Sequence, residues 1–298
     1  MDKTILGVDW GTSNRRAYLI DQHGHCLAEY DDDQGMLAVG GSERFGASLD
    51  VLRSAMQVDA SVPVIMSGMV GSASGWQEVA YLDASVPLTE LPQHLAPVQQ
   101  APWSANSHIV PGYVYRNGGS VDVMRGEETQ LLGAVALGQR DGWLVLPGTH
   151  SKWVLLDNGV IGSMATYMTG ELFAMLSKGG TLSSMMGGDT SDSAGFAAGL
   201  TQAQQGVPLS NTLFRVRAGV VSRNAPLEQA AAFVSGLLIG AEFAAAARSL
   251  PAGGTITVIG SPALAQRYAV AAQHFGLQCQ VLDPHRVYCT AISQFIQG

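Results

Sequence analysis

The chain has little cysteine and little charge, and it lacks the common nucleotide, hydrolase and zinc signatures. Three cysteines occur in 298 residues, Cys26, Cys279 and Cys289. They form no C-x-x-C pair and leave an odd count, which argues against a disulfide framework and points to a reducing, cytoplasmic setting. Charged residues make up 13% and hydrophobic residues 47%, a composition that buries a core. The 16 Lys and Arg form no basic run and the formal net charge is −8, so nucleic acid is not the expected partner. The most apolar stretch, 230–247, is rich in Ala and Gly and interrupted by Glu242; it reads as a buried helix, since a membrane span needs about 20 predominantly apolar residues. The N-terminus enters a strand at once, without a signal core.

Motifs are missing too. No G-x-x-x-x-G-K-[ST] supports a P-loop, and no G-x-G supports a dinucleotide fingerprint. No serine stands in G-x-S-x-G. Seven histidines show no H-E-x-x-H and no Cys/His clustering along the chain, which argues against zinc.

What is present centres on Ile5 to Tyr18. A strand delivers Asp9 to a tight turn, Trp10 to Asn14, and a second strand follows from Arg16. Gly11 lets backbone approach a ligand, Thr12, Ser13 and Asn14 offer donors, and Asp9 can hold a divalent cation through water. The set suits a nucleotide phosphate with Mg²⁺; taken alone, it also suits an ordinary hairpin with Asp at its corner. A second copy runs from Leu144 to Thr166. Again a strand enters a Gly-Thr turn, Gly148-Thr149-His150-Ser151-Lys152, and two strands follow around an Asp-x-Gly turn. The repeat implies a duplicated domain with a cleft between halves. Lys152 has two readings, a phosphate contact or a solvated strand residue, and His150 reads as a hydrogen-bonding wall.

Between the copies, Gly68-Met69-Val70-Gly71-Ser72 follows a strand and runs to Trp76. Met69 and Trp76 are poor choices for a solvated turn, which favours a substrate loop. Residues 82–111 read as an extended excursion. From Glu127 an apolar helical face begins, with two carboxylates in its first turn; the helix dipole favours acids there by about 0.3–1 kcal/mol, so a structural account exists. The dipole does not explain Arg125 at the same end.

The pair Asp9-x-Gly11-Thr12 and Gly148 to Lys152, with a later strand and Gly260-Ser261-Pro262, resembles the phosphate and adenosine motifs of the actin and sugar-kinase superfamily. Gly68 to Ser72, Asp122 to Gln130 and Thr169-Gly170-Glu171-Leu172 resemble the 2-dehydro-3-deoxygalactonokinase family. The resemblance implies an α/β fold, a two-domain actin-like ATPase of duplicated ribonuclease H-like domains with a central nucleotide cleft, divided as 1–140 and 141–298. It implies ATP as co-substrate with Mg²⁺ on Asp9, and phosphorylation of 2-dehydro-3-deoxy-D-galactonate at its 6-hydroxyl in galactonate catabolism. ATP would be held by Gly11, Thr12, Ser13, Asn14, Gly148, Thr149, His150, Ser151, Lys152, Gly260 and Ser261. The catalytic base would be Glu127 or Glu128, with Asp122 third. The sugar acid would meet Gly68, Met69, Gly71 and Ser72, Arg125 at its carboxylate, and one of Arg15 and Arg16, Arg16 being preferred. The partners are then small molecules, without a membrane, and a homodimer stays open. Other readings are a kinase of another sugar or aldonate, a phosphoanhydride hydrolase, and a nucleotide-gated binding protein.

Overall fold

The computed structural model of the protein describes residues 3–100, 102–103 and 106–296. It falls into two compact units: Met1–Gly142 with Val154–Met164 and Leu282–Gly298, and Trp143–Trp153 with Ala165–Val281.

The first unit opens on an antiparallel meander, β1 (Thr4–Trp10), β2 (Arg15–Asp21) and β3 (Cys26–Asp32), in which Asp9 lies opposite Arg16. A one-turn helix α1 (Met36–Val39) and α2 (Phe45–Met56) lead to β4 (Val64–Gly68), parallel to β1 with Ser67 opposite Asp9. Short strands β5 (Leu82–Asp83), β6 (Ala96–Pro97) and β7 (Ser107–Ile109) follow. Then come β8 (Tyr113–Asn117), β9 (Ser120–Met124) and α3 (Glu127–Ala136). The main sheet runs β3-β2-β1-β4-β7-β6, beside a small sheet β5-β8-β9. β1 is buried along nearly its whole length because α2 packs against Leu6, Val8 and Trp10 on one face and the later helix Pro284–Gln294 against Gly7 on the other. Trp10, Phe45 and Trp76 form the aromatic centre of its core. The proline-rich excursion is anchored by Leu88 and Leu91, both buried in a 3-10 turn.

The chain continues through β10 (Gly142–Leu146), β11 (Ser151–Asp157), β12 (Val160–Tyr167), α4 (Thr169–Lys178), α5 (Ser193–Gln204) and α6 (Leu209–Val221). It ends with α7 (Ala230–Ala246), β13 (Thr255–Ile259), α8 (Pro262–His274), β14 (Gln278–Leu282) and α9 (Pro284–Gln294). The second sheet has the order β12-β11-β10-β13-β14, with β13 parallel to β10. This repeats the order β3-β2-β1-β4-β7: three consecutive strands, then strands from further along the chain. The duplication read from the two Gly-Thr turns is thus a duplication of topology.

The apolar helix α7 is long and apolar enough to cross a membrane by composition, but most of it is buried against neighbours of the second unit. Helix α6 has no counterpart among the sequence expectations, although Pro208 precedes it and Leu209, Leu213, Val216 and Val220 recur at helical spacing. Helix α9, expected with the second half by chain order, packs on the first unit instead. The Cβ that Gly133 of α3 lacks would collide with the Val287 carbonyl, and that of Gly7 in β1 with Ile292.

Candidate active site

In the first unit the Asp9 end of β1, the end of β4 and the start of α3 converge. Gly68 holds φ +87° and Gly126 holds φ +112°, a region that side chains with a Cβ avoid. A Cβ on Gly126 would stand 3.3 Å from the Gly68 Cα, and one on Gly68 would stand 2.7 Å from the Trp10 carbonyl and 3.4 Å from Asp9 Oδ1. Two glycines therefore let three backbone segments meet around one carboxylate. Burial pushes the Asp9 pKa up to about 6; the Arg16 charge opposes that rise and the Glu127 carboxylate adds to it. The Asp9 carboxylate is a hard oxygen donor of the kind that suits Mg²⁺.

The two acids at the start of α3 are not equivalent. Glu128 is fully buried; its Oε2 accepts from its own turn, at Gly126 N (2.7 Å), and its pKa is pushed up to about 8, first by burial and then by Glu127. Such a group keeps its proton at neutral pH. Glu127 is half-buried, accepts from Arg125 N at 3.1 Å and faces Asp9 electrostatically. Asp122 lies on β9 opposite Tyr115, in the small sheet and away from the helix start.

Arg125 Nη2 donates to the Val79 carbonyl at 2.7 Å, and its guanidinium lies 4.3 Å from the Tyr81 ring centroid. Its Nε and Nη1 are buried without a hydrogen-bond partner among the described residues. Nη1 occupies the space that a Cβ on Gly71 would need, 2.8 Å away, so Arg125 covers the Met69–Gly71 turn. That turn is packed: Ser72 Oγ donates to the Met69 carbonyl and Trp76 is a core residue. Arg15 and Arg16 separate cleanly. Arg15 is buried, doubly bonded to Asp32 and donating to Ser48, and so is structural; Arg16 is exposed.

The first loop, Gly11 to Asn14, is braced through its carbonyls: Met36 N, Leu37 N and Gly35 N donate to Gly11, Thr12 and Ser13. The Thr12, Ser13 and Asn14 side chains stay exposed.

In the second unit Gly148, Thr149 and His150 are exposed after β10. Helix α4 begins against them: a Cβ on Gly170 would sit 2.3 Å from the Gly148 carbonyl, Glu171 N donates to Thr149 O, and His150 Nε2 lies 2.6 Å from Glu171 Oε2. Ser151 and Lys152 behave differently from expectation. Ser151 is buried, donating to Glu242, and its Oγ lies 3.1 Å from the Tyr268 hydroxyl. Lys152 is buried as well, with Nζ donating to Thr166 at 2.8 Å, because β11 is covered on both faces where it begins. Gly260 packs against Pro147, and Ser261 precedes α8. A cavity of about 90 Å³ lies here, lined among others by Gly148, Gly170, Leu264 and Arg267. Leu264 and Arg267 were not anticipated; their i, i+3 spacing on the helix after Gly260-Ser261 is the signal that places them on one face. A larger cavity, about 730 Å³, lies at the opposite end of β1, by Thr4 and Ile5, far along the strand from Asp9.

The model of 2-keto-3-deoxy-galactonokinase matches residues 9–295. The chain belongs to that family. A Rhizobium meliloti (strain 1021) protein named as a probable 2-dehydro-3-deoxygalactonokinase is 35% identical over 281 residues, 93% of this chain and 91% of its own. The 2-dehydro-3-deoxygalactonokinase of Escherichia coli (strain K12) is 34% identical over 276 residues, with the same coverage. A crystal structure from Sinorhizobium meliloti, provisionally described as a 2-dehydro-3-deoxygalactonokinase, superposes with a TM-score of 0.89 at 32% identity, over 98% of this chain and 96% of its own. Membership of this galactonokinase family brings the α/β actin-like ATPase fold, kinase chemistry and ATP as co-substrate. It does not by itself rank the carboxylates around Gly126.

Proposed function

We propose that the chain transfers the γ-phosphoryl group of ATP to the 6-hydroxyl of 2-dehydro-3-deoxy-D-galactonate, with Arg125 binding the substrate carboxylate and Glu127 taking the hydroxyl proton. The observation that carries the acceptor assignment is Arg125, whose buried Nε and Nη1 are unsatisfied at a Gly-rich turn. A buried unpaired guanidinium nitrogen is costly, and a carboxylate is the ligand that removes the cost. Glu127 suits the base because it is accessible at the same helix start, whereas buried Glu128 holds its proton. Exposed Arg16 is the second acceptor contact, and Gly68, Met69, Gly71 and Ser72 form the wall.

Asp9 would hold Mg²⁺, which supplies charge neutralisation at the phosphates when bound, and Glu127 is left to act as the base. Gly11 to Asn14 are assigned to phosphates, as are Gly148, Thr149 and His150. Gly260 and Ser261, with the Arg267-lined cavity, are assigned to the adenosine. Ser151 and Lys152 serve the second loop from beneath. The three free cysteines support a cytoplasmic setting.

The test is ADP release with Mg·ATP alone, with the keto-deoxy galactonate, with its gluconate epimer and with neutral hexoses. Turnover only with keto-deoxy acids is expected. Arg125→Ala should raise KM for the acid by about 10–100-fold while kcat falls less, as expected for lost ground-state binding. Phosphate release without acceptor would overturn the kinase reading in favour of hydrolysis, and turnover of neutral hexoses unchanged by Arg125→Ala would overturn the acceptor assignment.

A further inference from the structure

The sequence argued against zinc because its cysteines and histidines are scattered, yet folding gathers three of them in the first unit. Cys26 opens β3, while His285 and Cys289 stand at i and i+4 on α9 and so share one helix face. One ligand atom from each lies within 4.8 Å of the others. His285 Nε2 is 4.0 Å from Cys289 Sγ and 3.2 Å from Glu29 Oε2. A single imidazole nitrogen therefore points at a thiol and a carboxylate together. Cys289 is buried, whereas the His285 and Glu29 side chains are 41% and 68% exposed, which leaves an entry path for an ion.

Tetrahedral zinc sites hold thiolate at about 2.3 Å and imidazole at about 2.0–2.1 Å, which sets ligand atoms about 3.5–3.8 Å apart. The cluster needs to contract by about 1 Å to reach that spacing, a movement within reach of the partly exposed Cys26 and His285 side chains. We propose that Cys26, Cys289 and His285 form a binding site for one zinc-class cation, with Glu29 as fourth ligand. Two thiolates and an imidazole select a soft or borderline ion over Mg²⁺ or Ca²⁺, so this site does not compete with Asp9 for the same metal. Its place in the fold gives it a structural role. It ties α9 to the edge strand of the main sheet, where the Tyr18 ring packs on both His285 and Tyr288, and Tyr288 OH lies 3.2 Å from Ser67 Oγ beside Asp9. An ion that binds only the folded chain raises stability by mass action.

The experiment is equilibrium dialysis of the tag-free full chain against Zn²⁺ in a reducing, chelator-free buffer, with metal counted by mass spectrometry and Co²⁺ spectra recorded in parallel. One Zn²⁺ per chain is expected, with a thiolate-to-cobalt band and a rise in melting temperature on adding Zn²⁺. Cys26→Ser should weaken binding at least 10-fold and reduce the band at saturating Co²⁺ to that of a single thiolate, His285→Gln should weaken binding, and Cys279→Ser should change nothing. Because Cys289 is buried, the partly exposed Cys26 and His285 variants carry the test, with circular dichroism confirming that each is folded. Less than a tenth of an equivalent of Zn²⁺ on the folded wild-type chain would overturn the proposal, as would stoichiometric binding retained by Cys26→Ser.

Discussion

The two units each bury a glutamate close behind a Gly-rich loop, and they treat it in opposite ways. Glu242 on α7 accepts from Ser151 Oγ and Trp153 Nε1 at 2.9 Å and from Tyr268 OH at 2.8 Å. Glu128 on α3 has Gly126 N at 2.7 Å and a long contact from Thr129 at 3.4 Å. Both carboxyls are pushed above the usual carboxylate range by burial. In the second unit the donors turn the acid into a joint that holds the start of β11, and hence the Gly148–His150 loop, onto α7 and α8. In the first unit the acid lacks those donors and sits beside the accessible Glu127 and the Asp9 carboxylate. Glu242, held by several side-chain donors, fixes a loop, whereas Glu128 lies buried beside Asp9 and Glu127, the two carboxylates proposed to carry the chemistry.

The comparison breaks if the first unit's acids prove merely structural. Asp9→Asn removes the charge proposed to organise Mg²⁺ while keeping the shape, and should reduce kcat by about 10³-fold or more, with the melting temperature unchanged or raised because a partly buried charge is gone. ADP release and a thermal melt on the same preparation check this; a variant with more than a tenth of wild-type kcat would remove Asp9 from the chemistry. Glu127→Gln should lower kcat by about 10²–10⁴-fold at little change in KM, as loss of a general base does. Glu128→Gln, by contrast, should keep most of the activity. Equal losses in the two variants would show that the base is not singled out by accessibility.

Glu242→Ala sharpens the other side. Removing one acceptor strands Ser151, Trp153 and Tyr268 in the interior, and should destabilise the chain by about 3–5 kcal/mol in urea unfolding. The folded fraction should retain turnover close to wild type. A stable but inactive variant would mean that Glu242 belongs to the reaction after all.

How much of this was legible differs from residue to residue. The duplicated Gly-Thr loops, the helix at Thr169–Lys178 and the strand at Thr255–Ile259 follow from local spacing and turn chemistry, which the structure keeps. The burial of Ser151 and Lys152 was not legible, because a strand covered on both faces buries alternate residues alike and the residue that accepts from Ser151 is 91 positions away. The choice between Glu127 and Glu128 was partly legible. Glu128, Leu131, Leu132 and Val135 recur at i, i+3, i+4 and i+7, so the apolar face that the helix buries takes Glu128 with it and leaves Glu127 beside it. Helix α6 shows the same periodicity and could have been found by it. The Cys26, His285 and Cys289 cluster could not, since about 260 residues of chain separate its two parts and only the return of α9 to the first unit joins them.

The smallest effect is also the most direct probe of the contrast between the two buried acids. Glu128 has its folded pKa near 8 against an ordinary value of 4.5. Below 4.5 both folded and unfolded chains hold the proton, so the group leaves stability unchanged there. Between 4.5 and about 8 the unfolded chain gives up the proton while the folded chain keeps it, so stability falls as pH rises through that window, by up to about 1.4 kcal/mol per pH unit. Glu128→Gln removes this one titration and leaves the others, including the smaller contribution of the same sign from Asp9. Unfolding free energies measured in urea at pH 5 and pH 8.5 should therefore converge in the variant by at least about 2 kcal/mol relative to wild type. Parallel pH dependences in the two proteins would place Glu128 among acids that ionise normally, and accessibility would then no longer distinguish it from Glu127.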